Sequence, residues 1–358
     1  MWKIPDITGA CRNIPINYRN TNINECLLST QGGHWKCWKN LRTVMALHTC
    51  PPPDLDEWLE EYSSVVGNYC HLLLEQKKAK NVDLFAKLVP YFESAHLDAR
   101  TIFHEFMGID LHPDAATGLT EISYPSSLHL TTLKGFFGEA LTGLIVEAYD
   151  LVGDHDWKVP VFLFRFHDDA KKYLYTLVRD PDQERQTIGR LGTDFIGISV
   201  DEDGVVDRLI SGEAKWRKTL TQGKVDDVML GPKKKGQDVR QEGKGVWAEL
   251  NKEVNPPNGL RELQIALKEI DSDGHAETIL SMDKLLSAYG SYTVPKTDLV
   301  VVVGKGGAER EEGTSFIGWG EIPEAYTAGN DLQVVEVILS DGEDLVEELY
   351  SYLWNGEE

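Results

Sequence analysis

Asp194, Glu213 and Lys215 have the types and spacing suited to phosphate chemistry. Asp194 opens a run rich in β-branched and aromatic residues that reads as a strand to Val200. Glu213 follows 19 residues later and Lys215 stands two beyond it. Residues two apart in a strand project from one face. Two carboxylates are hard oxygen donors of the kind that hold Mg²⁺, which keeps several waters and uses few protein acids. A cation held there lowers the pKa of a bound water and offsets charge growing on a phosphate. A lysine beside it could orient or deprotonate the attacking water. Glu139 lies in a helical stretch upstream and is a candidate further acid, placing that metal or holding a second.

Four elements must position these groups. Residues 133–149 have helical periodicity, with Leu141, Leu144, Ile145 and Ala148 on one face. Residues 159–166 read as a first strand and 192–200 as a second. Asp201 to Gly204 is a turn signal, and a third strand runs through 208–216. Helix, strand, strand, turn, strand places Asp194 and Glu213 on neighbouring strands of one hairpin.

Gly192-Thr193-Asp194 followed by Glu213-Ala214-Lys215, with Glu139 on the preceding helix, resembles the PD-(D/E)XK nuclease superfamily. The proline that often precedes the first Asp of that pattern is Thr193 here. The resemblance covers roughly residues 130–303. It implies an α/β fold with a restriction-endonuclease-like core, a small mixed sheet flanked by helices. It implies Mg²⁺- or Mn²⁺-dependent phosphodiester hydrolysis, with Asp194, Glu213, the Ala214 carbonyl and Glu139 as metal ligands and Lys215 as the water-activating residue. Within the superfamily the pattern is similar to nuclease subunits of the Hachiman and Lamassu anti-phage systems of bacteria. That implies a DNA endonuclease working with a helicase or SMC-like ATPase. No Gly-x-x-x-x-Gly-Lys-Ser/Thr loop occurs in the chain, so a nucleotide-hydrolysing partner is expected. An RNA-cleaving nuclease, and a non-catalytic nucleic-acid-binding subunit with a degenerate nuclease fold, stay open as alternatives.

Charge is uneven. The chain of 358 residues has a formal net charge of −22, which argues against a basic coat for nucleic acid. Residues 215–244 nevertheless hold nine basic and four acidic residues. Arg217, Lys218 and Lys224 are candidate phosphate ligands just past Lys215. Lys233, Lys234 and Lys235 lie in an expected mobile loop that either tracks DNA or is simply solvated. Residues 260–268 form an amphipathic helix whose Arg261 and Gln264 either reach the site or serve structure. Residues 298–306 read as a buried strand ending in glycines. Gly304 and Gly306 begin a dinucleotide-like spacing, but Glu309 replaces the third glycine and no helix opens there. A last strand is expected at 332–339 and a terminal amphipathic helix at 344–354. The segment 308–358 has fourteen acidic residues against one Arg, a solvated face or a DNA-like cover over the basic site.

The remainder suggests two domains. Residues 1–128 are expected to be a mainly helical N-terminal region for partner docking, and 129–358 the nuclease domain. Helices are expected over 54–66, 82–92 and 97–106. All five cysteines (Cys11, Cys26, Cys37, Cys50, Cys70) precede residue 71, and their odd number favours reduced thiols. His34, Cys37, His48 and Cys50 could supply zinc ligands, though neither spacing is standard. No run approaches 18 apolar residues and no leader pattern opens the chain, so a cytoplasmic protein is expected, with a homo-oligomer left open.

Overall fold

The computed structural model describes residues 48, 50–77, 82–109, 124–126, 128–149, 152, 157–162, 194–253, 255–257, 259–287 and 293–354. The chain divides after Val44, and Met45–Glu358 is one compact unit. His34, Cys11, Cys26, Cys37 and the 163–166 end of the expected first strand lie outside the described residues.

The strands are β1 (Leu59–Val66), β2 (Tyr69–Gln76), β3 (Lys158–Phe162), β4 (Phe195–Val200), β5 (Val206–Leu220), β6 (Lys296–Gly306) and β7 (Asp331–Ile338). The helices are α1 (Val82–Ile109), α2 (Leu130–Ala148), α3 (Gln222–Leu230), α4 (Val246–Leu250), α5 (Leu260–Asp271), α6 (Ala276–Ser287) and α7 (Gly342–Tyr352). The strands form one mixed sheet in the order β1-β2-β7-β6-β5-β4-β3. Its centre, β2, β7, β6 and β5, is parallel, and an antiparallel strand pair closes each side. The fold is therefore α/β, a mixed sheet flanked by helices. Strand β6 shows why: its run of four valines is buried throughout, as a parallel strand covered on both faces requires. Among the described residues no helix is long and apolar enough to cross a membrane.

Alternation along β5 sorts the two faces. Ile210 joins α1, α2 and α7 on the first face, with Leu299, Val301 and Val303 of β6. Leu209 lies on the second face with Ile196, Ile198 and helices α5 and α6. Val300 and Val302, also on the second face, pack with α3, α4 and the loop around Ile317 and Tyr326. The second face thus has two apolar clusters. Ser211, Glu213 and Lys215 stand in the seam between them.

The N-terminal expectation needs correction. Residues 54–66 carry apolar groups at helical spacing, yet only a turn forms at Leu55–Leu59, and β1 follows. The hairpin connection Gly67-Asn68 explains the difference: Val66 pairs with Tyr69 across it, and Gly67 takes φ +64°. A two-residue turn of this kind outweighs a weak helical period. The expected helices at 82–92 and 97–106 are one helix, α1, with Pro90 inside it. Burial of Leu88, Tyr91, Phe92 and Ala95 in the core carries it past the proline. Because β2 pairs with β7 and α1 packs beside α2, no boundary at 128/129 separates two cores.

The glycine at position 304, near the end of β6, has a packing role. A Cβ on Gly304 would lie 2.1 Å from the Arg217 carbonyl oxygen, where a bulge at Lys218 breaks the β5–β6 register. That bulge also turns Leu220 into the second face, beside Val225.

Candidate active site

Asp194 is fixed from two sides. Its N–H donates to the Gly212 carbonyl at 2.9 Å, and its Oδ2 accepts the Ala214 N–H at 2.8 Å. The approach depends on Gly212, because a Cβ there would fall 2.2 Å from the Phe195 ring. Strand β4 ends its pairing at Phe195, opposite Gly212. Beyond that point the edge of β5 has no strand neighbour among the described residues, and the Asp194 carboxylate fills the place. The N–H and carbonyl of one strand residue point the same way, so the Ala214 carbonyl is directed to this open edge beside Asp194.

Glu213 and Lys215 share the second face. Lys215 Nζ is 2.5 Å from Glu213 Oε2, 3.8 Å from Asp194 Oδ2 and 4.0 Å from Glu249 Oε2. Asp194 and Glu213 are both buried, whereas the Lys215 side chain is 26 % exposed. Burial pushes the Glu213 carboxyl up to about 8; the Asp194 charge adds to this and Lys215 opposes it. Burial works against the Lys215 ammonium too, but Asp194 and Glu213 outweigh it and hold its pKa above the ordinary lysine value.

Excess acid is the mark of the site. Two buried carboxylates face one lysine, and the less stable charge, Glu213, rises toward neutrality. A divalent cation would satisfy both acids, and the Ala214 carbonyl would add a third oxygen. The donor set therefore fits Mg²⁺ or Mn²⁺. Among the described residues no group of three or more His, Cys, Asp or Glu side chains is arranged to hold a metal ion, so such a site rests on two carboxylates.

Other expected members lie elsewhere. Glu139 is on α2, which crosses the first face and packs Gly138 on the Ala214 side chain, opposite Glu213 and Lys215. Its charge acts on the Tyr124 and Tyr350 hydroxyls, which flank His96 at 2.7 and 2.9 Å. Gln264 is buried and donates to the Ile279 carbonyl and Asp283, while Arg261 donates to Gln264. Both tie α5 to α6 rather than reach Glu213. Lys218 is on the first face, paired with Glu343 of α7 at 2.6 Å. Arg217 is exposed and donates to the Trp216 carbonyl. Lys224 projects to solvent from α3. The 233–235 segment is part of a short finger closed by a Lys233–Arg240 bridge, with Lys233 paired to Asp238 and Arg240 to Asp227. Lys234 and Lys235 are exposed at its tip. His48, weighed as a zinc ligand, has Ser94 at one ring nitrogen and Glu147 at the other.

Glu249 was not legible as a site residue. It lies 36 residues past Glu213, on a one-turn helix, with no spacing that marks it. Only folding brings α4 over the second face.

A second acid–lysine group adjoins the site. Lys296 Nζ is 2.9 Å from Glu253 Oε2 and 2.9 Å from Asp298 Oδ1. Ser211 donates to Glu253, and Tyr326 and Asn330 donate to Asp298 Oδ2. A scan of protein-family models and a search of curated proteins found no match to this chain.

Proposed function

We propose that this chain is a Mg²⁺- or Mn²⁺-dependent nuclease with a restriction-endonuclease-like core, cutting DNA as the effector of a bacterial anti-phage complex. The observation that carries the metal-nuclease part is the convergence of Asp194, Glu213 and Lys215 where β4 releases the edge of β5. DNA as substrate, a defence role, and a helicase or SMC-like ATPase partner follow from the resemblance of the Asp194…Glu213-Ala214-Lys215 pattern alone.

Asp194 and Glu213 would hold the cation, with the Ala214 carbonyl beside them. When bound, the cation lowers the pKa of a water and offsets charge on the phosphate. Lys215 is held positive, so it donates hydrogen bonds to the attacking water and to a phosphate oxygen rather than taking a proton. Lys234 and Lys235 offer charge for the nucleic-acid backbone; Lys218, Lys233 and Arg240 are already paired.

Calorimetric titration of the full chain with Mn²⁺ tests the reading. Saturable binding is expected, abolished in Asp194→Asn with Glu213→Gln. Equal binding by wild type and the double variant would remove the site assignment.

A further inference from the structure

Lys215 is a shared cation. Two of its three neighbouring acids, Glu213 and Asp194, are the ones that would hold a metal. Drawing Glu213 Oε2 onto a divalent cation removes the nearest partner of Lys215 as positive charge arrives beside it. An ammonium left without a counter-charge swings to solvent. That spoils a group whose value lies in orientation.

Glu249 is placed to prevent this. Its carboxylate is 4.0 Å from Lys215 Nζ and its side chain is 46 % exposed, so it has room to turn. The helix that carries it is held at both ends. At the first end, Gly245 takes φ +94°, and a Cβ there would fall 2.3 Å from Gly231 N. Gly231 in turn has φ +86°, and its Cβ would fall 2.7 Å from the Lys244 carbonyl oxygen. Bare backbone touches bare backbone, which only glycine allows. At the other end Asn251 Nδ2 donates to the Ala325 carbonyl at 2.8 Å, and its Oδ1 accepts the Thr327 N–H at 2.7 Å. Between them Val246, Trp247 and Leu250 are buried, with Trp247 edge-on to Tyr326. A five-residue helix needs such clamps, since an isolated turn is not stable.

We infer that Glu249 is a positioning residue for Lys215, taking the ammonium over from Glu213 when a divalent cation occupies the Asp194–Glu213 pair. This rests on the metal-nuclease reading above. Glu213 holds Lys215, and Glu249 stands off at 4.0 Å. With the pair occupied, Glu249 keeps Lys215 aimed at the same edge.

The test is a Mg²⁺ titration of the full chain labelled with ¹³C at lysine Cε, followed by NMR. Lys215→Arg identifies the Lys215 signal. In wild type, Mg²⁺ is expected to move that signal while it stays sharp and distinct from free lysine. In Glu249→Gln, Mg²⁺ is expected to bind as tightly, but the Lys215 signal moves to the position of a free lysine; Glu249→Asp restores part of the wild-type shift. Cleavage by Glu249→Gln is expected to fall about 10- to 100-fold in kcat with KM unchanged, the scale for a misplaced group. Mg²⁺ binding with the same Lys215 response in wild type and Glu249→Gln overturns the inference. Loss of Mg²⁺ affinity in Glu249→Gln as large as in Glu213→Gln also overturns it, by making Glu249 a ligand. Absence of Mg²⁺ binding in wild type strikes the metal-nuclease reading itself, and the inference with it.

Discussion

Two lysines, each between two carboxylates, lie on the same face of the sheet on adjacent strands. On β5, Lys215 faces Glu213 and Asp194; on β6, Lys296 faces Asp298 and Glu253. As sequence they are near mirror images, Glu-x-Lys and Lys-x-Asp. Their surroundings differ. The Lys296 side chain is 1 % exposed, and Ser211, Tyr326 and Asn330 satisfy oxygens of its acids. The Lys215 side chain is 26 % exposed, and beside it the edge of β5 has no strand neighbour among the described residues. The same residue types make a sealed knot around Lys296 and a partly exposed group around Lys215. Exposure of the lysine separates the two, not spacing.

Removing each lysine is expected to cost stability to different extents. Lys296→Ala leaves two buried carboxylates without a counter-ion and is expected to cost about 3–5 kcal/mol of stability, read by urea denaturation. Lys215→Ala is expected to cost less, because Lys215 is itself partly exposed and Glu213 can take up a proton. Equal losses would erase the distinction.

Glu213 sharpens it through pH. Its folded pKa of about 8 lies above the ordinary value of 4.5, so the folded state holds this proton more tightly than the unfolded chain. Stability from this group is full below pH 4.5 and is lost as pH rises toward about 8. In EDTA, Glu213→Gln is therefore expected to raise Tm at pH 8 and above, with little change at pH 4.5. Mn²⁺ is expected to stabilise wild type at the high-pH end. A Tm difference independent of pH would contradict this electrostatic origin.

Smaller effects are expected outside the pair. Lys234→Glu with Lys235→Glu is expected to weaken DNA binding and to lower the slope of log K against log salt, by roughly 1 for each phosphate the finger neutralises. An unchanged slope would make the finger a solvated loop. Glu139→Gln is expected to change cleavage least, since α2 crosses the first face; a loss matching that of Glu213→Gln would show that Glu139 reaches the metal after all.

Much of the fold after residue 128 was legible. The β4–β5 hairpin follows from alternation and the Asp201–Gly204 turn, and β6 follows from its valines. Helix α2 follows from its apolar face. The β1–β2 hairpin was hidden because Leu55, Trp58, Leu59 and Tyr62 mimic a helical period, while the deciding signal is Gly67-Asn68 alone. Within the site, Asp194, Glu213 and Lys215 come from local patterns on one hairpin, so sequence could group them. Glu249 comes from a distant turn placed by Gly231, Gly245 and Asn251, and no local pattern carries that. Arg261 and Gln264 show the converse: a polar group on an amphipathic helix is as easily spent on the next helix, here Asp283 of α6.

Cleavage of phosphodiester bonds by the Asp194, Glu213 and Lys215 group at the edge of β5 is the activity proposed for this chain. Its most direct test is incubation of supercoiled and linear DNA with the purified chain in Mg²⁺, Mn²⁺ or EDTA, beside Lys215→Ala. Metal-dependent cutting by wild type is expected, with none in EDTA and at least about a 100-fold loss in Lys215→Ala. Cutting that survives both EDTA and Lys215→Ala would contradict the claim.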